Sequence, residues 1–146
     1  MLKYRQIKKV FTNLDELKID GIWFSSKKGE GEHKKWWYNG QLFLHCYFKQ
    51  NKKDGEYKLW YENGQLWIHC FYKQGNKIGE YKRWWSNGQL YLHSFYRDIE
   101  SKYSVDIYQG EDDKRFKGEY KKWYGNGRLK EHIIFNNDGT VKEIIK

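Results

Sequence analysis

One stretch, GEYKLWYENGQLWIHCFYK from Gly55 to Lys73, constrains this chain more than any other feature, because near copies of it lie before and after it. GEHKKWWYNGQLFLHCYFK begins at Gly31, GEYKRWWSNGQLYLHSFYR at Gly79 and GEYKKWYGNGRLKEHIIFN at Gly118. The starts lie 24, 24 and 39 residues apart, the last interval being one period plus a 15-residue insertion. A fixed period of this length marks a repeat architecture, in which each unit is one supersecondary element stacked on its neighbours.

Within each copy two aromatic-rich runs flank Asn-Gly, at 39–40, 63–64, 87–88 and 126–127. Asn-Gly suits a two-residue type I′ turn, so each copy is expected to be a β-hairpin. With that loop, Glu62 faces Gln65, Tyr61 faces Leu66, Trp60 faces Trp67, Leu59 faces Ile68, Lys58 faces His69 and Tyr57 faces Cys70. Alternation then gives one apolar face (Tyr57, Leu59, Tyr61, Leu66, Ile68, Cys70, Tyr72) and one mixed face (Lys58, Trp60, Glu62, Gln65, Trp67, His69, Phe71). Fourteen glycines and no proline suit many tight turns between uninterrupted strands.

The remaining segments read as caps and insertions. Residues 1–30 form an N-terminal cap with a worn half-repeat: Tyr4, Ile7, Val10, Phe11, Leu14 and Leu17 fit a helical stripe, and a short helix and an edge strand both stay open. Asp20-Gly21 is a turn candidate. The repeats occupy 31–54, 55–78, 79–96 and 118–139, with the insertion at 97–117 read as a hairpin arm around Gln109 to Asp113 or a loop. KQNKKD and KQGNKI are polar returns between hairpins, and glycines 55, 79 and 118 sit where the backbone bends or packs closely. Residues 140–146 supply a closing strand that protects the open edge.

Two cysteines, Cys46 and Cys70, occupy one repeat position on hairpins about 10 Å apart, beyond the roughly 7 Å that a disulfide spans; two buried free thiols are expected. The same spacing separates His45, His69, His93 and His132, so they cannot share a zinc ion whose ligands lie about 2 Å away. Neither a metal nor a cofactor is expected. No G-x-x-x-x-G-K, G-x-S-x-G or H-E-x-x-H motif is present, and Glu111-Asp112-Asp113 lacks the spacing of a calcium loop. The chain therefore reads as a non-enzyme. No N-terminal apolar run and no transmembrane segment of about 20 apolar residues occurs, which points to a soluble protein in a reducing, intracellular setting.

Net charge is +9, from 28 basic and 19 acidic residues spread along the chain. Against that field, the candidate partner-binding face consists of a tryptophan ladder, Trp36, Trp60, Trp84 and Trp123, flanked by Phe43, Trp67 and Tyr91. Lys34, Lys58, Lys82 and Lys121 interleave with it, beside the four histidines. Exposed aromatics among lysines suit stacking on bases or contact with a protein partner. The competing reading is that a single-layer sheet uses cross-strand aromatics as its own packing.

The Asn-Gly-Gln-Leu core and the 24-residue period over residues 31 to 139 resemble the MORN-type repeat superfamily, in the variant often labelled YwqK-family antitoxin. The Trp-rich, His-Cys flavour is similar to arrays of large amoeba-infecting DNA viruses. This resemblance implies an all-β fold: an elongated, single-layer, twisted antiparallel sheet of stacked hairpins. It further implies a scaffold or protein-interaction role with an unidentified protein partner. The alternatives are an antitoxin-like regulatory partner of a toxic protein and peripheral attachment to anionic lipid, while nucleic acid is disfavoured.

Overall fold

The computed structural model describes residues 16–19, 22–25, 29–98 and 115–146. They form eleven antiparallel strands: β1 (Glu16–Ile19), β2 (Ile22–Ser25), β3 (Gly31–Trp37), β4 (Leu42–Lys49), β5 (Lys52–Trp60), β6 (Leu66–Lys73), β7 (Asn76–Trp84), β8 (Leu90–Tyr96), β9 (Gly118–Trp123), β10 (Leu129–Phe135) and β11 (Val141–Ile144). Spatial order follows sequence order without a crossover, in one open sheet. The all-β, stacked-hairpin architecture is the expected one, and β11 is the last strand of the sheet. Of the cap, the strand alternative applies to residues 16–19 and 22–25; the stripe from Tyr4 to Leu14, the Asp20-Gly21 turn and the arm around 109–113 lie outside the described residues. No helix among the described residues is long and apolar enough to cross a membrane.

The turn expectation needs correcting, because the two rims of the sheet use different turns. At the Asn-Gly rim only glycine takes a positive φ, 84° at Gly40, 83° at Gly64, 84° at Gly88 and 82° at Gly127. The Tyr61 amide donates to Gln65 O at 2.9 Å and the Gly64 amide to Tyr61 O at 3.0 Å. This is a three-residue loop ending in left-handed glycine, not a two-residue type I′ loop. Asparagine itself drives the choice: Asn63 Oδ1 accepts the Gln65 amide at 3.0 Å, a local bond that holds the asparagine on the right-handed side. True type I′ turns close the opposite rim, where Gln50 (φ 50°) and Asn51 (63°), then Gln74 (49°) and Gly75 (86°), have both central residues left-handed. The segments expected as polar returns are thus as tight as the hairpins.

The longer loop changes register near the Asn-Gly rim. Tyr57-Cys70, Lys58-His69 and Leu59-Ile68 pair as expected, but Trp60 faces Leu66 and leaves Trp67 as an extra residue. Trp36 with Leu42 and Trp84 with Leu90 repeat the pattern. Such a bulge puts two successive residues on one side. Phe43 and Trp67 accordingly pack against the buried cluster of Leu44, Cys46 and Leu59, while Leu42, Leu66 and Leu90 turn to the tryptophans. A second register shift, at Gly55 and Gly79, bends β5 and β7 where those glycines take φ values of 112° and 63°.

Two small clusters make the core. The second contains Cys70, Tyr81 and Tyr96, with Phe116 joining from beyond the insertion. Both cysteines are free and buried, each 1% exposed. Burial pushes the Cys70 thiol up to about 11, so it behaves as a small apolar side chain.

Consecutive repeats are fastened along the Asn-Gly rim. Asn39 Nδ2 donates to Glu62 O at 2.9 Å, Asn63 Nδ2 to Ser86 O at 2.8 Å and Asn87 Nδ2 to Gly125 O at 2.9 Å. Two residues earlier in the chain, Trp37 Nε1 donates to Trp60 O at 2.9 Å and the Tyr61 hydroxyl to Trp84 O at 2.8 Å. Each asparagine therefore shapes its own turn with Oδ1 and holds the next repeat with Nδ2. Asn63→Asp keeps the first bond and cannot make the second, whereas Asn63→Ala loses both. In urea melts the aspartate variant should lose about 0.5–1.5 kcal/mol and the alanine variant about twice that; equal losses would show that the inter-repeat bond adds nothing.

Candidate functional site

Because β-strands alternate, every second residue of β3 to β10 shares the face opposite the core clusters. On that face one unbroken row crosses eight strands: Lys34, His45, Lys58, His69, Lys82, His93, Lys121 and His132, each paired in register with the next. A neighbouring row alternates glutamate with a large apolar residue, as in Glu32-Tyr47, Glu56-Phe71, Glu80-Phe95 and Glu119-Ile134. Beyond the lysines lie Trp36, Trp60, Trp84 and Trp123.

The glutamates tie these rows together. Glu56 Oε1 lies 2.6 Å from Lys58 Nζ and 2.9 Å from His69 Nε2. Glu80 repeats this at 2.9 Å to both Lys82 and His93. Glu32 lies 3.4 Å from Lys34 and 2.7 Å from His45, and Glu119 lies 2.7 Å from Lys121 and 3.5 Å from His132. An ionised carboxylate only accepts, so Nε2 carries the proton in each short histidine contact. Each imidazole also tilts against an aromatic ring two residues along, with centroids 5.2 Å apart for His45-Tyr47, 5.3 Å for His69-Phe71 and 5.0 Å for His93-Phe95.

Twelve of the fifteen expected face residues sit together here: Lys34, Trp36, His45, Lys58, Trp60, His69, Lys82, Trp84, His93, Lys121, Trp123 and His132. The other three do not. The bulge takes Phe43, Trp67 and Tyr91 to the core side, where they meet Trp37, Tyr61 and Trp85 with ring centroids 4.7, 5.2 and 4.6 Å apart. The fourth repeat has Lys130 at this position, and its ammonium lies 5.5 Å from the Tyr124 ring, in the same place relative to its hairpin. Glu32, Glu56, Glu80 and Glu119 belong to the site although the motif reading passed over them. Their signal was present, since each stands two residues before a row lysine and so on the same face.

Histidines of successive repeats are separated by a lysine-bearing strand, and among the described residues no three His, Cys, Asp or Glu side chains gather to hold a metal ion. His33, at a tyrosine position on the core side, is a separate case: burial lowers its pKa, and its ring lies 4.7 Å from Phe48.

The bond from Lys58, then that from His69, holds the Glu56 carboxyl below the usual range, and Lys82 and His93 do the same for Glu80. A carboxylate whose folded pKa is depressed contributes stability that is complete above its unfolded value, about 4.3, and is lost as pH falls through the folded one. Urea midpoints measured from pH 6 down to pH 3 should therefore fall below about pH 5, and Glu56→Gln with Glu80→Gln should flatten that fall. An unchanged pH profile in the double variant would remove the glutamates from acid unfolding.

The family model described as a MORN repeat variant matches residues 29–50, 53–74, 77–98 and 116–137. Comparison with curated proteins and with solved structures finds no match. The matched segments contain β3-β4, β5-β6, β7-β8 and β9-β10, each with one Glu-Lys-His set. Together they cover more than half of the chain, which belongs to the MORN repeat variant family.

Proposed function

We propose that this chain is a non-catalytic protein-interaction or scaffold module, and that a protein partner docks on the face carrying the Glu-Lys-His and tryptophan rows. Repeats of this family generally mediate contacts with proteins or membrane lipids. The observation that carries the reading is the recurrence, in four successive hairpins, of a carboxylate, an ammonium, an imidazole and an indole at one spacing. None of these groups forms a closed core, and Tyr47 and Phe71, which pair with Glu32 and Glu56 on the same face, remain 36% and 37% exposed. Repetition lets a partner make the same contact several times, so weak single contacts sum to useful affinity. On this face each row lysine lies against a glutamate, which favours a protein with mixed polar and aromatic surface over an anionic bilayer.

The test is affinity capture from a lysate of the producing cell, comparing wild type with Trp60→Ala plus Trp84→Ala. The expected result is one stoichiometric partner lost by the double variant while its melting temperature stays near that of wild type. Should the tryptophan variant fail to fold, Tyr47→Ala with Phe71→Ala samples the more exposed part of the same face. A folded variant that keeps every partner would move binding elsewhere.

A further inference from the structure

The four Asn-Gly turns share their local bonds and differ in one other. In each, the glycine amide donates to the carbonyl three residues earlier: Gly40 to Trp37 O at 3.0 Å, Gly64 to Tyr61 O at 3.0 Å, Gly88 to Trp85 O at 2.9 Å and Gly127 to Tyr124 O at 2.9 Å. The asparagine Oδ1 accepts the amide two residues on, at 3.0 Å for Asn39, Asn63, Asn87 and Asn126 alike. All four asparagines are exposed. The difference lies at Nδ2. Asn39, Asn63 and Asn87 donate it to a carbonyl of the following repeat, whereas Asn126 Nδ2 meets no acceptor among the described residues. The sheet shows why: next to β10 stands β11, whose pairing covers Ile133 to Phe135 and stops short of the turn at Asn126.

We propose that Asn126 is a site of spontaneous covalent modification, deamidated to aspartate and isoaspartate ahead of Asn39, Asn63 and Asn87. The inference does not rest on the partner proposed above. The chemistry needs only water. The Gly127 amide nitrogen forms a bond to Asn126 Cγ and closes a cyclic succinimide while the Cγ–Nδ2 bond breaks; Nδ2 leaves as ammonia, taking the proton of the glycine amide. Water then adds to one of the two imide carbonyls. Breaking the bond from Gly127 N to Cγ gives aspartate, and breaking the bond from Gly127 N to the main-chain carbonyl carbon gives isoaspartate, with no change of oxidation state. Glycine favours ring closure because no Cβ crowds its nitrogen.

To close the ring, the side chain must turn until Cγ faces the glycine nitrogen, and every bond that fixes the carboxamide or the glycine amide opposes that turn. The Oδ1 bond and the glycine amide bond are common to the four turns and slow them alike. The Nδ2 bond is made in three of them, and it ties the atom that has to leave. One hydrogen bond corresponds to a rate difference of about two- to tenfold. Position also decides what the reaction costs the fold. Loss of Nδ2 from Asn63 cuts a rung between repeats, whereas loss from Asn126 cuts none. The modified chain keeps its inter-repeat fastening and gains one negative charge, in the turn whose Tyr124 ring has the Arg128 guanidinium and the Lys130 ammonium each 5.5 Å from its centre.

Peptide mapping by mass spectrometry tests the proposal on the unaltered chain, aged in mildly alkaline buffer both folded and in concentrated urea. The unfolded rates report the local sequence around each Asn-Gly, so the ratio of unfolded to folded rate at each site reports what the fold protects. The ratio at Asn126 should be about two- to tenfold smaller than at the other three sites; a ratio equal to theirs or larger overturns the proposal. Hydrogen exchange separates the missing bond from general loosening of the turn. The Gly127 amide should exchange within the range spanned by Gly40, Gly64 and Gly88, and faster exchange would assign the difference to opening of the turn and overturn the role given to Nδ2. Asn126→Asp, made directly, should leave the urea midpoint closer to wild type than Asn63→Asp does. An equal fall would show that Asn126 Nδ2 is bonded in the folded chain, and the proposal would fail.

Discussion

The hydrogen bond from the glycine amide back to the carbonyl three residues earlier, Gly64 to Tyr61 and its equivalents, is the constraint on which the side-chain arrangement depends. It closes a loop of three residues instead of two, and the left-handed glycine that ends the loop admits one residue more than a symmetric hairpin holds. That residue must be absorbed within the first pairs of the ladder. It is absorbed as the bulge at Trp67, which exchanges the positions of Leu66 and Trp67 between the faces. The exchange packs the larger ring beside the core, stacked on Tyr61, and sets a leucine opposite Trp60.

Among the described residues the sheet has no second layer to bury its dry face, so their stabilisation comes from within the layer. Only seven apolar residues are buried among the described ones, and six of them form two clusters of three. Three local devices supplement them. Lysine ammonium and arginine guanidinium groups lie over tyrosine and tryptophan rings, each contact worth about 0.5–1 kcal/mol at exposed sites. Aromatic pairs meet within and between strands, as at Tyr57-Tyr72 and Tyr81-Tyr96. On the other face, glutamate neutralises lysine and orients histidine. Every device joins neighbouring strands, which is how a quasi-one-dimensional fold holds together.

Much of this was legible in the sequence, and the rest was hidden for identifiable reasons. The period, the hairpins, the buried thiols and the central register of Tyr57, Lys58 and Leu59 followed from alternation around Asn-Gly. The turn class did not, because Asn-Gly serves both a two-residue loop and a three-residue loop, and the side-chain bond from Asn63 to the Gln65 amide tips the balance. Trp67 was misplaced as a direct result, since one extra residue reverses the side on which a strand residue stands. The type I′ turns at Gln50-Asn51 and Gln74-Gly75 were obscured because glutamine is not an obvious left-handed residue. Glu56 was passed over for a different reason: its role is defined by two partners, Lys58 two residues away and His69 on the next strand, and only the pairing brings all three together.

The asparagine ladder has a consequence for how such a chain can change length. Its rungs join residues 23 apart in sequence at Asn39 and Asn63, but 38 apart at Asn87, where the insertion intervenes. The rung is nonetheless of the same length, and the base of the insertion is closed by the Arg97 amide on Arg115 O at 2.6 Å and the Lys117 amide on Phe95 O at 2.9 Å. One rim thus keeps the phase while the other admits extra residues. Such a chain works like a graduated rod whose marks are cut along one edge only: material added at the plain edge leaves the scale true, and adding a whole repeat extends it by one division.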